Sequence, residues 1–128
     1  MAAPLYSANV RQVQSVVLAV PSLTTTDLVG FIKWLAAQPI RILAISVVVN
    51  AKTGTHVSTV IDVLQGVSVI STFDLTAVAA GTRVDGTLAA AQTKVAKGVE
   101  VSVNFTEAGG TTPVLTNTSI QIDYVPED

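Results

Sequence analysis

Short β-branched runs, each closed by a turn cluster, set the strongest constraint on how this chain folds. The clearest run is residues 40–50, IRILAISVVVN, which follows Pro39 and leads into Ala51-Lys52-Thr53-Gly54. Side chains branched at Cβ lose rotamer freedom in a helix and pack well on a pleated surface, so this run predicts a strand. Leu43, Ile45, Val47 and Val49 share one face, while Ile40, Ile42, Ala44 and Val48 make the other nearly as apolar. A strand apolar on both faces is expected to be covered on both.

The same reading extends along the chain. Residues 13–20 form a β-branched run stopped by Pro21, and 57–64 set Val57, Ile61 and Val63 against Ser58 and Asp62. Gln65-Gly66 is a hairpin candidate leading into 67–72. Residues 82–89 place Val84 and Leu88 inward. In 99–106, Val99, Val101, Val103 and Phe105 alternate with Glu100, Ser102, Asn104 and Thr106. The last run, 119–125, sets Ile120, Ile122 and Tyr124 against Ser119, Gln121 and Asp123. Residues 23–27, 73–80, 90–98 and 109–117 read as turns and connections, and 1–10 as an irregular N-terminal arm.

Segment 27–37 fits two templates. As a helix, Leu28, Phe31, Ile32 and Leu35 share a face, Thr24 to Asp27 form a capping box and Pro39 follows the end. As a strand, both of its faces are apolar. Counting it as a strand gives eight strands in a single β-sandwich domain over 11–128, and eight suit an antiparallel jelly roll. A short helix at 27–37 is the alternative.

Composition narrows the chemistry. There is no cysteine, so neither a disulfide framework nor a thiolate ligand set exists. Seven basic residues against nine acidic ones, with no aromatic interleaving, argue against nucleic acid as a partner. The charge-free stretches 12–26 and 108–122 are too polar to be membrane spans. The start has no basic region followed by an apolar one, so no signal peptide is expected. His56, the only histidine, lies in a turn and reads as an exposed imidazole; a triad with Ser58 and Asp62 has no local support. The acids are scattered, with Asp62, Asp85, Glu100 and Asp123 at outward positions. No calcium loop or phosphate loop is present, so no catalytic, cofactor or metal residues are assigned and no small-molecule substrate is expected. Trp34 with Tyr6 and Tyr124 offers a sugar-stacking platform, set against ordinary packing.

What remains is an apolar surplus: 49% hydrophobic residues against 12% charged, including 22 valines. One core does not easily hide it, so self-association is expected. The candidate subunit interface is Trp34, Leu35, Ile40, Ile42 and Val48. Leu5, Tyr6 and Val10 on the arm are the candidate contacts to a neighbouring protein.

Several segments carry a resemblance. They are TDLVGFIKW (26–34) leading through Pro39 to IRILAISVV (40–48), AGTRVDGTL (80–88), VAKGVEVSV (95–103) and IQIDYV (120–125). Over roughly residues 24–125 the chain resembles the small jelly-roll virion proteins of tailed bacteriophages, the capsid decoration or cement class. The resemblance lies in fold-level pattern, and Trp34 and Ala36-Ala37 depart from it. It implies a strand before Pro39 and a non-enzymatic homotrimer on the head exterior. Such a trimer, assembled in the host cytoplasm, would bind the major capsid protein and bridge capsomers. The rival readings are a tail or fibre module recognising host glycan, and a small hydrolase.

Overall fold

The computed structural model describes residues 12–127, and within them the chain is built almost entirely of antiparallel strands. Nine strands are present: β1 (Gln14–Val20), β2 (Leu28–Leu35), β3 (Ile40–Thr55), β4 (Ser58–Gln65), β5 (Ser68–Asp74), β6 (Arg83–Asp85), β7 (Lys94–Val95), β8 (Glu100–Ala108) and β9 (Thr111–Pro126). The ninth is the two-residue β7, in a segment expected to be a connection; it pairs with the start of β3. Segment 27–37 is a strand, not a helix. Among the described residues, no helix is long and apolar enough to cross a membrane.

Two sheets face each other as a sandwich. One runs β1-β9-β3-β6, with β7 also on β3, and the other runs β2-β8-β4-β5. The pairing is nested: β4 with β5, β3 with β6, β2 with β8 and β1 with β9. Between the sheets lies one apolar cluster, including Ile45, Val47, Ile61, Phe73, Val101, Phe105, Leu115 and Ile122. Leu23, in the stretch expected to be a turn, is buried there and exchanges two 2.9 Å backbone hydrogen bonds with Leu115.

Strand β3 corrects the two-faced reading of 40–50. Its register against β9 shifts between Ile42 and Ala44, leaving Leu43 as an extra residue in a β-bulge. The bulge reverses the alternation, so Ile40 and Ile42 join Ile45, Val47 and Val49 on the core face. Leu43, grouped with Ile45 by strict alternation, is instead exposed. The core face is therefore wholly apolar, the outer face mixes Leu43, Ala44 and Val48 with Arg41, Ser46 and Asn50, and much of the surplus is absorbed by the chain's own core.

Four further boundaries differ from the sequence reading. β3 continues through the 51–54 turn cluster to Thr55, with a second irregularity between Thr53 and Thr55. Gly54 sits there at φ +78, and a Cβ would lie 2.1 Å from the Thr112 carbonyl oxygen, so only glycine lets these backbones meet. The expected loop 109–117 is mostly strand, because the length of β3 gives even a Gly/Thr/Pro segment a partner. The expected strand 82–89 shrinks to Arg83–Asp85. The β4–β5 hairpin turns on Gly66-Val67, one residue later than expected, since Gln65 pairs with Ser68.

Candidate functional site

Three surface or near-surface features gather polar or aromatic side chains. The first is a buried polar knot at one end of the sandwich. The alternation of β8 continues past Phe105, so the next inward position is Glu107. Its carboxylate is 2% exposed, and the His56 side chain opposite it is 5% exposed. His56 Nδ1 lies 3.1 Å from Glu107 Oε1 and 2.9 Å from Thr59 Oγ1. The Thr59 hydroxyl donates to the same carboxylate oxygen at 2.7 Å, and the Ala108 N–H donates to Oε2 at 3.1 Å. His56 Nε2 faces the Thr53 carbonyl at 2.9 Å, which requires Nε2 to carry a proton. Thr59 has a single hydroxyl proton and gives it to Glu107, so Nδ1 bonds to that carboxylate only when it too carries a proton.

The knot ties several chain segments together. The Lys52 ammonium donates to the Leu75, Thr76 and Val78 carbonyls at 2.6, 2.9 and 2.9 Å, so all three of its donors are used. Burial pushes its pKa below the usual lysine value, while the Glu107 and Asp74 carboxylates pull the other way. Asp27 accepts from the Glu107 N–H at 2.8 Å, and Thr76 Oγ1 accepts from the Thr59 N–H at 3.0 Å. The β3–β4 turn, the β5–β6 connection, the approach to β2 and the β8–β9 hairpin thus meet at one set of hydrogen bonds.

This geometry corrects the reading of His56 as an exposed imidazole. The ring packs beneath the turn because Glu107 and Thr59 give it polar partners inside. Chemically the knot is closed. The nitrogen that would serve a nucleophile in a triad faces a backbone carbonyl instead of a hydroxyl. Asp62 is not near it: Asp62 accepts from Thr72 at 2.6 Å on the outer face of the second sheet.

The second feature is a groove of about 430 Å³ on that outer face. Val29 and Val67 flank it, Leu64, Ser102 and Asn104 contribute to its lining, and Lys33 and Glu100 lie 3.7 Å apart beside it. Val29 and Val67 are 84% and 95% exposed.

The third is the pair Trp34 and Tyr124, whose ring centroids are 5.0 Å apart at a tilt of 52°. Trp34 comes from β2 and Tyr124 from β9, so the pair bridges the two sheets. The Tyr124 hydroxyl donates to Gln14 Oε1 at 3.1 Å. A cleft of about 180 Å³ beside them is lined by Gln14, Trp34, Gln38 and Tyr124 among others.

The candidate interface residues separate in space. Leu35 is exposed, and Trp34 and Val48 are half-buried. Ile40 and Ile42 lie in this chain's own core at 3% and 2% exposure, withdrawn there by the Leu43 bulge, so they are not available to a partner. The arm contacts Leu5, Tyr6 and Val10 lie outside the described residues. The sequence reading missed Lys52, Thr59 and Glu107. For Glu107 a signal existed, since extending the alternation of 99–106 by one step points it inward. The chain matches no family model, no curated protein and no solved structure.

Proposed function

We propose that this chain is a non-enzymatic structural protein of a virion, a decoration or cement protein built on a jelly roll. The observation that carries the reading is the nested pairing of the strands. In a jelly roll a long antiparallel ribbon wraps around itself, so innermost and outermost pairs alternate between two sheets. Here β4–β5, β3–β6, β2–β8 and β1–β9 are such pairs, divided between β1-β9-β3-β6 and β2-β8-β4-β5. The closed hydrogen bonding of His56 supports a mechanical role over a hydrolytic one.

In this reading the sandwich is a rigid block in a homotrimer on the head exterior. Trp34, Leu35 and Val48 contribute to the subunit contacts, and the arm with Leu5, Tyr6 and Val10 grips the major capsid protein. Several weak arms per particle give avidity without any single strong contact. The test is cosedimentation of the purified chain with capsid shells, with copy number measured. Saturable binding that is lost when residues 1–10 are removed supports the proposal. Absence of binding to shells, or binding indifferent to the arm, overturns it.

One observation favours a glycan-binding tail or fibre module as a second reading. The cleft beside Trp34 and Tyr124 combines aromatic faces with the amides of Gln14 and Gln38, a mixture suited to sugar rings. Glycan-array binding that Trp34→Ala abolishes would favour it over the cement reading.

A further inference from the structure

We infer that the outer edge of β1 pairs with β1 of a second copy of this chain, antiparallel about a two-fold axis at Val17. The argument starts from how the sheet edges are guarded. An unpaired strand edge presents open N–H and C=O groups, and monomeric proteins blunt such edges with bulges, charges, prolines, short strands or cover. Among the described residues, the edges other than β1 are short or carry such devices. β2 has a register irregularity between Leu28 and Ile32, with Gly30 at φ +58 and Lys33 beyond it. β5 is bulged against β4 and covered by the next segment, where the Ala89 N–H donates to the Ile70 carbonyl and Ser71 donates to the Thr87 carbonyl. β6 is three residues long and carries Arg83 and Asp85.

Among the described residues, β1 has none of these. Its seven residues, QSVVLAV, contain no charge and no proline, and all seven pair with β9 in unbroken register. No described strand lies on its other side. Val13 and Val17 stand 60% exposed on the outward face.

The strand is also complementary to itself. Residues directly opposite in an antiparallel pair point to the same face, so a β1–β1 register must place outward residues opposite outward residues. Only registers centred on a residue satisfy this. Of these, centring on Val17 is the one that pairs all seven positions: Val17 with Val17, Val16 with Leu18, Ser15 with Ala19 and Gln14 with Val20 of the partner. Core-face valine and leucine then continue the core stripe across the axis, and no like charges meet because the strand has none. Since the other described edges are guarded, the pairing closes at two copies rather than growing into a fibre. The inference does not depend on the virion reading; if the chain is also a trimer, this contact joins one trimer to the next.

The experiment uses the full-length chain, which has no cysteine of its own. V17C is expected to form a covalent dimer under mild oxidation, because the two Val17 positions face each other. A19C alone is expected not to, since Ala19 faces Ser15 of the partner, whereas A19C mixed with S15C links. In light scattering at high micromolar concentration, V17K is expected to halve the assembly mass and weaken association at least about tenfold, through two like charges placed opposite one another. Val17 points outward, so circular dichroism should show V17K folded. Mixing V17K with V17E should restore the dimer. A wild-type chain that stays monomeric at high concentration overturns the inference, as does a mass unchanged by V17K or equal linking by V17C and A19C alone.

Discussion

The middle of the sandwich and the Glu107–His56 pair at its end are both buried, but different physics holds them. The middle is Phe105, Ile45, Ile122 and their apolar neighbours, where shape and volume decide stability. The end is Glu107, His56, Thr59 and Lys52, where every buried polar atom must find a partner. Both environments lie on the inward face of one strand, β8, two residues apart at Phe105 and Glu107. The middle should therefore respond to lost volume and ignore lost hydrogen bonds, and the end should do the reverse.

The largest expected effect comes from the middle. Phe105→Ala removes a ring that is 2% exposed and should cost about 3–5 kcal/mol in chemical denaturation. The β3 bulge sharpens the point. Ile45→Ala should cost about 2–5 kcal/mol, while Leu43→Ala, two residues away on the same strand, should stay within about 0.5 kcal/mol. Equal losses at the two positions would mean that the bulge does not turn Leu43 outward.

At the polar end, Glu107→Ala removes the acceptor shared by the Thr59 hydroxyl and the Ala108 N–H, and should cost about 1–3 kcal/mol. Glu107→Gln keeps the volume and one acceptor oxygen, so it should recover part of that loss. Glu107→Leu fills the space without any acceptor and should not recover it. Recovery by leucine would show that the end is held by packing, like the middle. Thermal melts of the three variants decide the matter.

These contrasts also explain what the sequence made legible. The strands 99–106 and 119–125 alternate without interruption, so their inward residues could be named directly. β3 defeated the same reasoning because a bulge inserts one residue and leaves no mark in the side-chain pattern. Strict alternation consequently offers Ile40 and Ile42 to a partner, whereas they belong to the core. The loop reading of 109–117 failed for a related reason: Gly, Thr and Pro favour turns locally, but pairing along a sixteen-residue β3 outweighs local preference. His56 and Glu107 are 51 residues apart, and only the sandwich brings them together. A lone histidine in a turn cluster carries no sign that its ring points inward.

The smallest expected effect lies outside both regions, on the outer surface where β1 meets β9, and it serves as the exposed counterpart of the buried knot. Asp123 accepts a 2.5 Å hydrogen bond from Ser15, directly across the pair, and a second from Gln121 at 3.0 Å. The Ser15 bond, and then the Gln121 bond, hold its carboxyl pKa below the usual aspartate value of 3.8. A carboxyl depressed in the folded state binds fewer protons there than in the unfolded chain. Its stabilising contribution is therefore full above pH 3.8 and is lost as the pH falls through the lower, folded value. Ser15→Ala removes the first cause, so the Asp123 carbon resonance should titrate at a higher pH in the variant than in the wild type. Stability near neutral pH should change by less than about 1 kcal/mol, because water replaces an exposed partner readily. If the Asp123 titration does not move, the Ser15 bond is not made in solution, and the seam between β1 and β9 is held by its backbone ladder and the Tyr124–Gln14 bond.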